Sequence, residues 1–312
     1  MMNLPKKILV TGGAGFIGSH TVDALLQREC EVTVLDNLCS GQITNLSLNH
    51  PRLSFIEGDI LEYPLVQELV SANDAVLHLA AIASVPFSLQ EPIYTLQVNT
   101  QGHLHLLQAI HSAPQPKKFV YASSAAVYGN EQSMPCNDDE PLKNLGLSPY
   151  ALQKLHNENY ANLYKSLYQQ NSIGLRYFNV YGLRQPADSS YSGVISTFIK
   201  HIKTHNAINV YGDGSQARDF IAVEDIVQAN LLALASNCHG VFNIATGQAN
   251  TLNQLIELLS KAAQMPVKVD YLAPRPGDIH LSYANTAKAL QTLNFQANIP
   301  LELGIQKLFN NA

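Results

Sequence analysis

The residues best suited to chemistry are a tyrosine and a lysine four positions apart, Tyr150 and Lys154. This spacing places both side chains on one helical face, and Ser148-Pro149 supplies an N-cap and a first helical residue before them. Free tyrosine, with a pKa near ~10, is a poor base at neutral pH, but an ammonium and a helix N-terminus both favour the phenolate. Ser124, at the end of a predicted strand, can donate to the same substrate oxygen. We therefore predict Ser124, Tyr150 and Lys154 as a catalytic set that moves a hydroxyl proton.

A glycine-rich turn at residues 11–20 lies between the first predicted strand and the first predicted helix. Gly12 permits a tight turn, Gly15 lets a pyrophosphate approach the backbone, and Gly18 lets helix and strand pack closely. The free N–H groups at the helix start suit a diphosphate. The alternative is an ordinary glycine turn of an α/β protein. The residues expected to contact a dinucleotide here are Gly12, Gly15, Phe16, Ile17 and Gly18.

The identity of the dinucleotide follows from Asp36, which stands 18 residues after Gly18 at the end of a second predicted strand. An acidic side chain near this spacing accepts hydrogen bonds from the adenosine ribose and repels a 2′-phosphate, so NAD is favoured over NADP. The alternative is a turn aspartate. Asn99, inside a predicted helix, is also expected to make a positioning hydrogen bond. The other predicted cofactor contacts are Asn37, Asp59, Ile60, Ala80, Ala81, Asn99 and Tyr177, together with Tyr150 and Lys154.

Composition narrows the class of protein. The chain has 312 residues, 46% of them hydrophobic, and a net charge of -5 without a basic stripe, which argues against nucleic-acid binding. Its four cysteines have no metal-ligand spacing, so we expect free thiols, no metal and a reducing compartment. No signal peptide is visible and no apolar run approaches ~18 residues. We therefore expect a cytoplasmic protein that does not enter a membrane.

Strands and helices alternate through the first half, which predicts a Rossmann-type doubly wound parallel sheet, α/β in class, followed by a smaller C-terminal α/β substrate domain. We expect a NAD-binding domain at 1–178, rejoined by a segment near 215–245, and a substrate domain at 179–312, with a loop over 179–193. The predicted strands are 8–10, 31–35, 53–57, 74–79, 118–122 and 173–177. The predicted helices are 16–27, 62–70, 92–111, 149–169, 194–203, 223–235, 251–262 and 300–309.

These motifs together resemble the extended short-chain dehydrogenases/reductases. The resemblance rests on the turn at 11–18, on Ser124 followed by Val127-Tyr128-Gly129, and on the pair Tyr150 and Lys154. Segments 176–182, 211–214, 218–221 and 275–278 extend it over nearly the whole chain and are similar to UDP-hexose 4-epimerases. The resemblance implies a UDP-sugar substrate, a C4 hydride passed to and from retained NAD, and a transient 4-keto sugar.

The resemblance also implies roles for single residues. Asn179, Arg218 and Arg275 are expected on the diphosphate, because planar guanidinium groups match phosphate oxygens, and Asp278 on the uridine ribose. The related sugar dehydratases carry an Asp-Glu pair directly after the catalytic Ser or Thr. Here the two positions are Ala125-Ala126, so no carboxylates are present there for water elimination.

The family also offers an indication of the sugar. A gatekeeper four residues after Asp278 admits N-acetyl sugars when small and excludes them when it is Tyr; Ser282 stands there, with Tyr283 next. Gly193 replaces the Asn of plain-hexose enzymes. The implied substrates are UDP-GlcNAc and UDP-GalNAc, with UDP-Glc and UDP-Gal as a second pair. The predicted substrate contacts are Ser84, Ser124, Tyr150, Asn179, Gly193, Val194, Tyr211, Arg218, Arg275, Asp278 and Ser282.

Other interpretations stay open at this point. A UDP-hexuronic acid 4-epimerase would require an extra cation near C6, which the sequence does not show clearly. A nucleotide-sugar 4-reductase would share the fold but release its cofactor in each cycle. A non-catalytic NAD-binding protein would have no need of the Tyr–Lys–Ser set. By analogy with the family, helices 92–111 and 149–169 imply a homodimer.

Overall fold

The computed structural model describes residues 2–130, 133–140, 142, 148–187, 193–274 and 279–311. The strands in this part of the chain are β1 (Lys7–Thr11), β2 (Glu31–Asp36), β3 (Leu53–Glu57), β4 (Ala75–His78), β5 (Lys118–Ser124), β6 (Ile173–Tyr177), β7 (Asn179–Tyr181), β8 (Ile208–Tyr211), β9 (Ala217–Arg218), β10 (Phe220–Ala222), β11 (Gly240–Ile244), β12 (Asn250–Thr251), β13 (Val269–Leu272) and β14 (Leu281–Ser282).

Helices flank these strands. They are α1 (Phe16–Leu26), α2 (Tyr63–Ala72), α3 (Val85–Gln90), α4 (Pro92–Leu96), α5 (Gly102–His111), α6 (Pro149–Tyr168), α7 (Val194–Lys203), α8 (Val223–Ala235), α9 (Leu252–Ala263), α10 (Ala287–Leu293) and α11 (Leu301–Asn311), with short 3-10 turns at Ile43–Asn45 and Ala125–Tyr128. No helix in the described ranges is both long and apolar enough to cross a bilayer.

Seven strands form one sheet in the order β11-β6-β5-β4-β1-β2-β3, and every neighbouring pair is parallel. Apolar residues of α1 and α8 cover one face, and those of α2, α5 and α6 cover the other. The predicted Rossmann-type doubly wound sheet is therefore confirmed. The strand order reverses between β4 and β1, which opens a crevice at the carboxyl ends of these two strands.

The helix predicted over 92–111 is not uniform. α4 and α5 are joined by a π-helical turn at Gln97–Gln101, which contains Asn99. The wider turn leaves the carbonyl oxygen of Asn99 free to accept from Asn157 Nδ2 of α6 at 2.8 Å. The predicted helix is therefore present over the whole range, and its π turn forms where the Asn157 side chain competes with the helical hydrogen bond.

The loop predicted over 179–193 was wrong at its start, where β7 pairs in parallel with β10. Beyond it, helices α7, α9 and α11 bury a second apolar core against β8 and β10. The strands β12, β9 and β14 form a small separate sheet. β11, inside the segment near 215–245, pairs with β6 at the edge of the main sheet. The division of the chain at residue 178 remains a prediction.

Candidate active site

A cavity lies at the carboxyl ends of the central strands, at the point where the strand order reverses. The glycine turn, the end of β2 and the start of α6 all contribute to its wall. The predicted cofactor residues that line it are Gly12, Gly15, Phe16, Ile17, Gly18, Asp36, Asn37, Asp59, Ile60, Ala80, Ala81, Tyr150, Lys154 and Tyr177.

The glycine turn fits a dinucleotide for steric reasons. Gly12 has a φ of +72, and a Cβ there would lie 2.6 Å from the nitrogen of Ala80. A Cβ on Gly18 would lie 2.1 Å from the oxygen of Gly12, so helix and turn can meet only through glycine. Gly15, the N-cap of α1, has no side chain to occupy the helix N-terminus. An anion can therefore approach these backbone N–H groups, as a pyrophosphate requires.

Two carboxylates stand at the other end of the cavity. Asp36 accepts from the backbone N–H groups of Ala14 and Leu38, both at 2.9 Å, which fixes its orientation. Burial raises the pKa of Asp36, and these two bonds act in the opposite direction. Asp59 accepts from Asn37 Nδ2 at 2.8 Å. Each Asp36 oxygen retains a lone pair, so the carboxylate fits the ribose hydroxyls of NAD.

Asn99 lies behind the cavity wall. Its Oδ1 accepts from Ile82 N at 2.8 Å, and its Nδ2 donates to Ile82 O at 3.0 Å and to Gln153 Oε1 at 2.7 Å. Ile82 itself lines the cavity. The side chain therefore positions the cavity wall through Ile82, and a direct contact of Asn99 with the cofactor stays a prediction.

The proposed catalytic set converges at the inner end of the cavity. Tyr150 is the second residue of α6, whose N-cap Ser148 accepts from Ala151 N. The Tyr150 backbone N–H donates to Ser88 Oγ of α3 at 3.1 Å, which fixes the start of the helix. Lys154 Nζ donates to Ala122 O at 2.9 Å and lies 5.9 Å from the centre of the Tyr150 ring. The structure thus places these two side chains as their spacing predicts.

The pKa values of Tyr150 and Lys154, as set by the protein's own groups, differ from the expectation. Burial raises the pKa of Tyr150, and a hydrogen bond with Ser124 lowers it without reversing the direction. Burial also lowers the pKa of Lys154 to about 8, while the nearby Glu158 carboxylate raises it. The expected lowering of the Tyr150 pKa by Lys154 is therefore not seen, because desolvation dominates for both groups.

A buried ion pair, formed by Glu158 and Arg176, neighbours this set of residues. Glu158 Oε2 and Oε1 accept from Arg176 Nη2 at 2.7 Å and Nε at 2.9 Å, and Ser123 Oγ donates to Oε1 at 2.5 Å. Arg176 Nη1 also donates to the hydroxyl of Tyr128 at 2.7 Å. We did not predict this pair, although the four-residue spacing of Lys154 and Glu158 on one buried helical face was a usable signal.

Three predicted substrate residues are direct neighbours of one buried aspartate, Asp219. Asp219 N donates to Ser282 O at 3.0 Å, Asn179 N donates to Asp219 O at 3.0 Å, and Arg218 precedes Asp219 in the chain. The Asp219 carboxylate accepts from both Thr246 N and Thr246 Oγ1, at 2.8 and 2.6 Å. Asp219 was missed because its partners are distant in the sequence, but an acid inside an apolar segment was the available signal.

The remaining predicted substrate residues are less closely grouped. A Cβ on Gly193, the residue before Val194 of α7, would lie 2.7 Å from Gln185 Nε2, and Gln185 lines the cavity. Ser84 caps α3 by accepting from Phe87 N at 3.2 Å.

Tyr211 lines a separate cleft, which is bordered by Asp213, Gln216 and Tyr271. Arg275 and Asp278 lie outside the described residues. Within the described ranges, no cluster of three or more His, Cys, Asp or Glu side chains could hold a metal ion.

Known proteins are similar to this chain in sequence and in fold. The model of the NAD dependent epimerase/dehydratase family matches residues 8–245. A putative UDP-glucose 4-epimerase of Methanocaldococcus jannaschii is 35% identical over 304 residues, covering 97% of each chain. The solved UDP-N-acetylglucosamine 4-epimerase from Methanobrevibacter ruminantium M1, in complex with UDP-N-acetylmuramic acid, has a TM-score of 0.93, 39% identity and 98% coverage of each chain. The UDP-glucose 4-epimerase of Thermotoga maritima with UDP-glucose has a TM-score of 0.92, 36% identity and 97% coverage. The family description names NAD, which confirms the predicted cofactor.

Proposed function

We propose that this chain, which belongs to the NAD-dependent epimerase/dehydratase family, interconverts the C4 epimers of a UDP-sugar with tightly bound NAD. The observation that carries the proposal is that Ser124, Tyr150 and Lys154 line one cavity, with Ser124 hydrogen-bonded to Tyr150 and Lys154 Nζ 5.9 Å from its ring centre. The next two positions, Ala125 and Ala126, carry no carboxylate for an elimination. Relatives and structural neighbours named UDP-sugar 4-epimerases support the same reaction.

The side chains act on one hydroxyl proton. Tyr150 accepts the proton of the sugar C4 hydroxyl, and Ser124 hydrogen-bonds the same oxygen. Lys154 supplies the positive charge that stabilises the phenolate once it forms. When bound, NAD supplies the acceptor and donor for the C4 hydride. The 4-keto sugar, held through its diphosphate, turns over and presents its opposite face, after which Tyr150 returns the proton.

The substrates we propose are UDP-GlcNAc and UDP-GalNAc, with UDP-Glc and UDP-Gal as a second pair. Ser282 of β14 pairs in register with Arg218 of β9. Directly paired residues project to the same face of a sheet, and consecutive residues project to opposite faces. Ser282 therefore shares the face of Arg218, and we expect Tyr283, the residue after the end of β14, to project to the opposite face. This supports a small residue at the gatekeeper position.

The first test is a proton NMR time course of the purified protein with UDP-GlcNAc, and separately with UDP-Glc, without added NAD. We expect UDP-GalNAc to accumulate to equilibrium with no net cofactor oxidation. If neither sugar reacts, NAD and UDP-hexuronic acids are added next. Turnover of a uronic acid alone would replace the proposed substrate. Stoichiometric reduction of the added NAD to NADH, with the sugar left as its 4-ketone, would replace epimerisation with the reverse of a 4-reductase reaction.

The register of the gatekeeper has its own test. The Ser282→Tyr variant should lose turnover of UDP-GlcNAc by at least tenfold and retain that of UDP-Glc, because the phenol fills the space of the acetamido group. The matched variant Tyr283→Ser should leave the preference unchanged, because that side chain faces away. The reverse pattern would assign the gatekeeper role to Tyr283.

We also propose a homodimer through α4 and α6. Large apolar side chains are exposed along these helices: Ile93 is 75% and Leu167 59% accessible. Light scattering should give twice the chain mass, and Ile93→Glu should shift the protein toward monomer. Leu303→Glu, on α11 and 58% exposed, is the matched control and should remain a dimer. A wild-type chain that is monomeric at every concentration would contradict the proposal.

A further inference from the structure

Glu158 is a buried carboxylate for which the proposed reaction has no direct use. It lies one helical turn after Lys154 on α6, and both residues are 3% exposed. Three hydrogen bonds, from Arg176 Nε, Arg176 Nη2 and Ser123 Oγ, reach its two oxygens at 2.5–2.9 Å. A carboxylate so fully bonded cannot exchange protons with a substrate, so its influence must act through its neighbours.

The partners of Glu158 belong to the two strands that end in the active site. Ser123 pairs in register with Arg176, and the next pair along is Ser124 with Tyr177. Both residues of this next pair line the cavity. By holding Ser123 and Arg176 together, Glu158 fixes the spacing of β5 and β6 one residue before the reacting groups. Its own helix carries Lys154 four residues earlier.

The charges around Lys154 give Glu158 a second effect. Tyr150 and Glu158 lie on its own helix, while His78 of β4 and His103 of α5 are within its electrostatic reach. Burial lowers the pKa of both histidines, and the Lys154 ammonium acts in the same direction. Both histidine rings are therefore neutral near pH 7. Glu158 is the negative charge that acts on Lys154.

Among the described residues on the side of Glu158 away from Lys154, Arg176, Tyr121 and Tyr128 add no second negative charge. Arg176 is a cation, and burial raises the pKa of Tyr121 and of Tyr128, so both phenols are neutral. Asp138, which bonds the backbone of Asn243, acts on Arg176 rather than on Lys154.

We propose that Glu158 is a positioning residue for the epimerisation: its carboxylate clamps the ends of β5 and β6 below Tyr150 and holds Lys154 in its ammonium form. This inference rests on the proposed function. It assigns Glu158 no contact with sugar or cofactor. Its consequence is that the charge of Glu158, and not only its shape, sets the upper pH limit of turnover.

The test is the pH profile of kcat for Glu158→Gln, which keeps the size of the side chain and removes its charge. The pKa of Lys154, about 8 with Glu158 in place, should fall, so the alkaline limb of kcat should move down by about one pH unit or more. Glu158→Asp should restore part of that shift. Ser123→Ala, which removes one hydrogen bond and keeps the charge, should leave the limb where it is.

Folding is controlled with a second variant. Glu158→Gln leaves the Arg176 guanidinium without its buried partner. An unpaired buried charge lowers the stability of the folded state. The double variant Glu158→Gln/Arg176→Met leaves no unpaired ion, and Arg176 is not among the groups that act on Lys154. Its alkaline limb should therefore also move down. Carbon-13 NMR titration of Lys154 Cε, assigned by its absence in Lys154→Met, should show the ammonium losing its proton at lower pH in both variants than in the wild type.

The inference on Glu158 and the proposed function would be overturned by different results. An unchanged limb with kcat lowered equally at every pH in Glu158→Gln and in the double variant would leave Glu158 a purely structural role and overturn the inference. A wild-type enzyme that epimerises no UDP-sugar would overturn the proposed function instead. The Lys154 titration distinguishes the two, because it does not depend on turnover.

Discussion

Tyr150 combines accessibility to the cavity with an environment that opposes its ionisation. It lines the cavity but is only 8% exposed, and burial raises its pKa. The chain offers Ser124 and Lys154 as compensating groups on either side. A base with these properties ionises only while positive charge is close, which confines proton removal to the assembled site.

Removing the Tyr150 hydroxyl tests its role. Tyr150→Phe should lower kcat by about 10²–10⁴-fold, because the C4 proton then has no acceptor. NAD should co-purify as in the wild type, since Phe preserves the packing. Tyr160→Phe, on the same helix and outside the cavity, is the matched control and should keep kcat within about twofold. If Tyr150→Phe turned over at a near-normal rate, another group would have to be the base.

The predictability of single residues depended on how local their partners are. Tyr150 and Lys154 share one helix and Ser148 caps it, so spacing alone placed them. Asp219 is defined by bonds to Thr246 and Ala284, far along the chain, and no local pattern contains that information.

At the scale of elements, the segment from α4 to α5 is more than a connecting helix. Its π-helical turn directs Asn99 both toward Ile82 at the cavity wall and toward Gln153 of α6. Asn157 of α6 returns a bond to the Asn99 carbonyl. The turn thus connects the cavity wall at Ile82 to the helix that carries Tyr150. Single π turns within helices are frequent at functional sites.

Asn99→Ala should lower the free energy of unfolding by about 2–4 kcal/mol, because three buried polar atoms of Ile82 and Gln153 lose their partner. The same change should reduce the fraction of protein that retains NAD, since Ile82 lines the cavity. Denaturant titration and cofactor extraction measure the two effects. The exposed Asn162→Ala should change stability by less than about 0.5 kcal/mol. Normal stability together with full NAD retention would contradict this role.

Elements were predictable where their signal lies within one segment. β3 and β6 are five-residue segments in which apolar residues predominate, and their predicted bounds match the structure. β7 and β10 are three residues each and are defined only by pairing with each other, so no periodicity marks them. The π turn has the same origin, because it depends on a side chain 58 residues away.

At the scale of the whole molecule, two buried histidines link the fold to pH. Burial lowers the pKa of His103 to about 3, and that of His78 well below its ordinary value. The native state therefore keeps both rings neutral, while the unfolded chain protonates them below a pH of about 6.5. The unfolded state then binds more protons, so the two rings stabilise the fold fully above that pH and progressively less as the pH falls. Asp138, whose pKa burial raises to about 6, acts in the opposite direction.

A single substitution isolates the histidine contribution from these opposing groups. Between about pH 6 and pH 4, His103→Gln should reduce the slope of unfolding free energy against pH by about 1.4 kcal/mol per unit, the equivalent of one proton. Denaturant titrations at a series of pH values, with NAD held constant, give the slopes. The exposed His205→Asn should keep the wild-type slope, since Asn tolerates the positive φ of 57 at that position. An unaltered slope in His103→Gln would mean that the ring is already protonated in the native state, next to the Lys154 ammonium. The buried charge balance around Lys154 would then have to include a second cation.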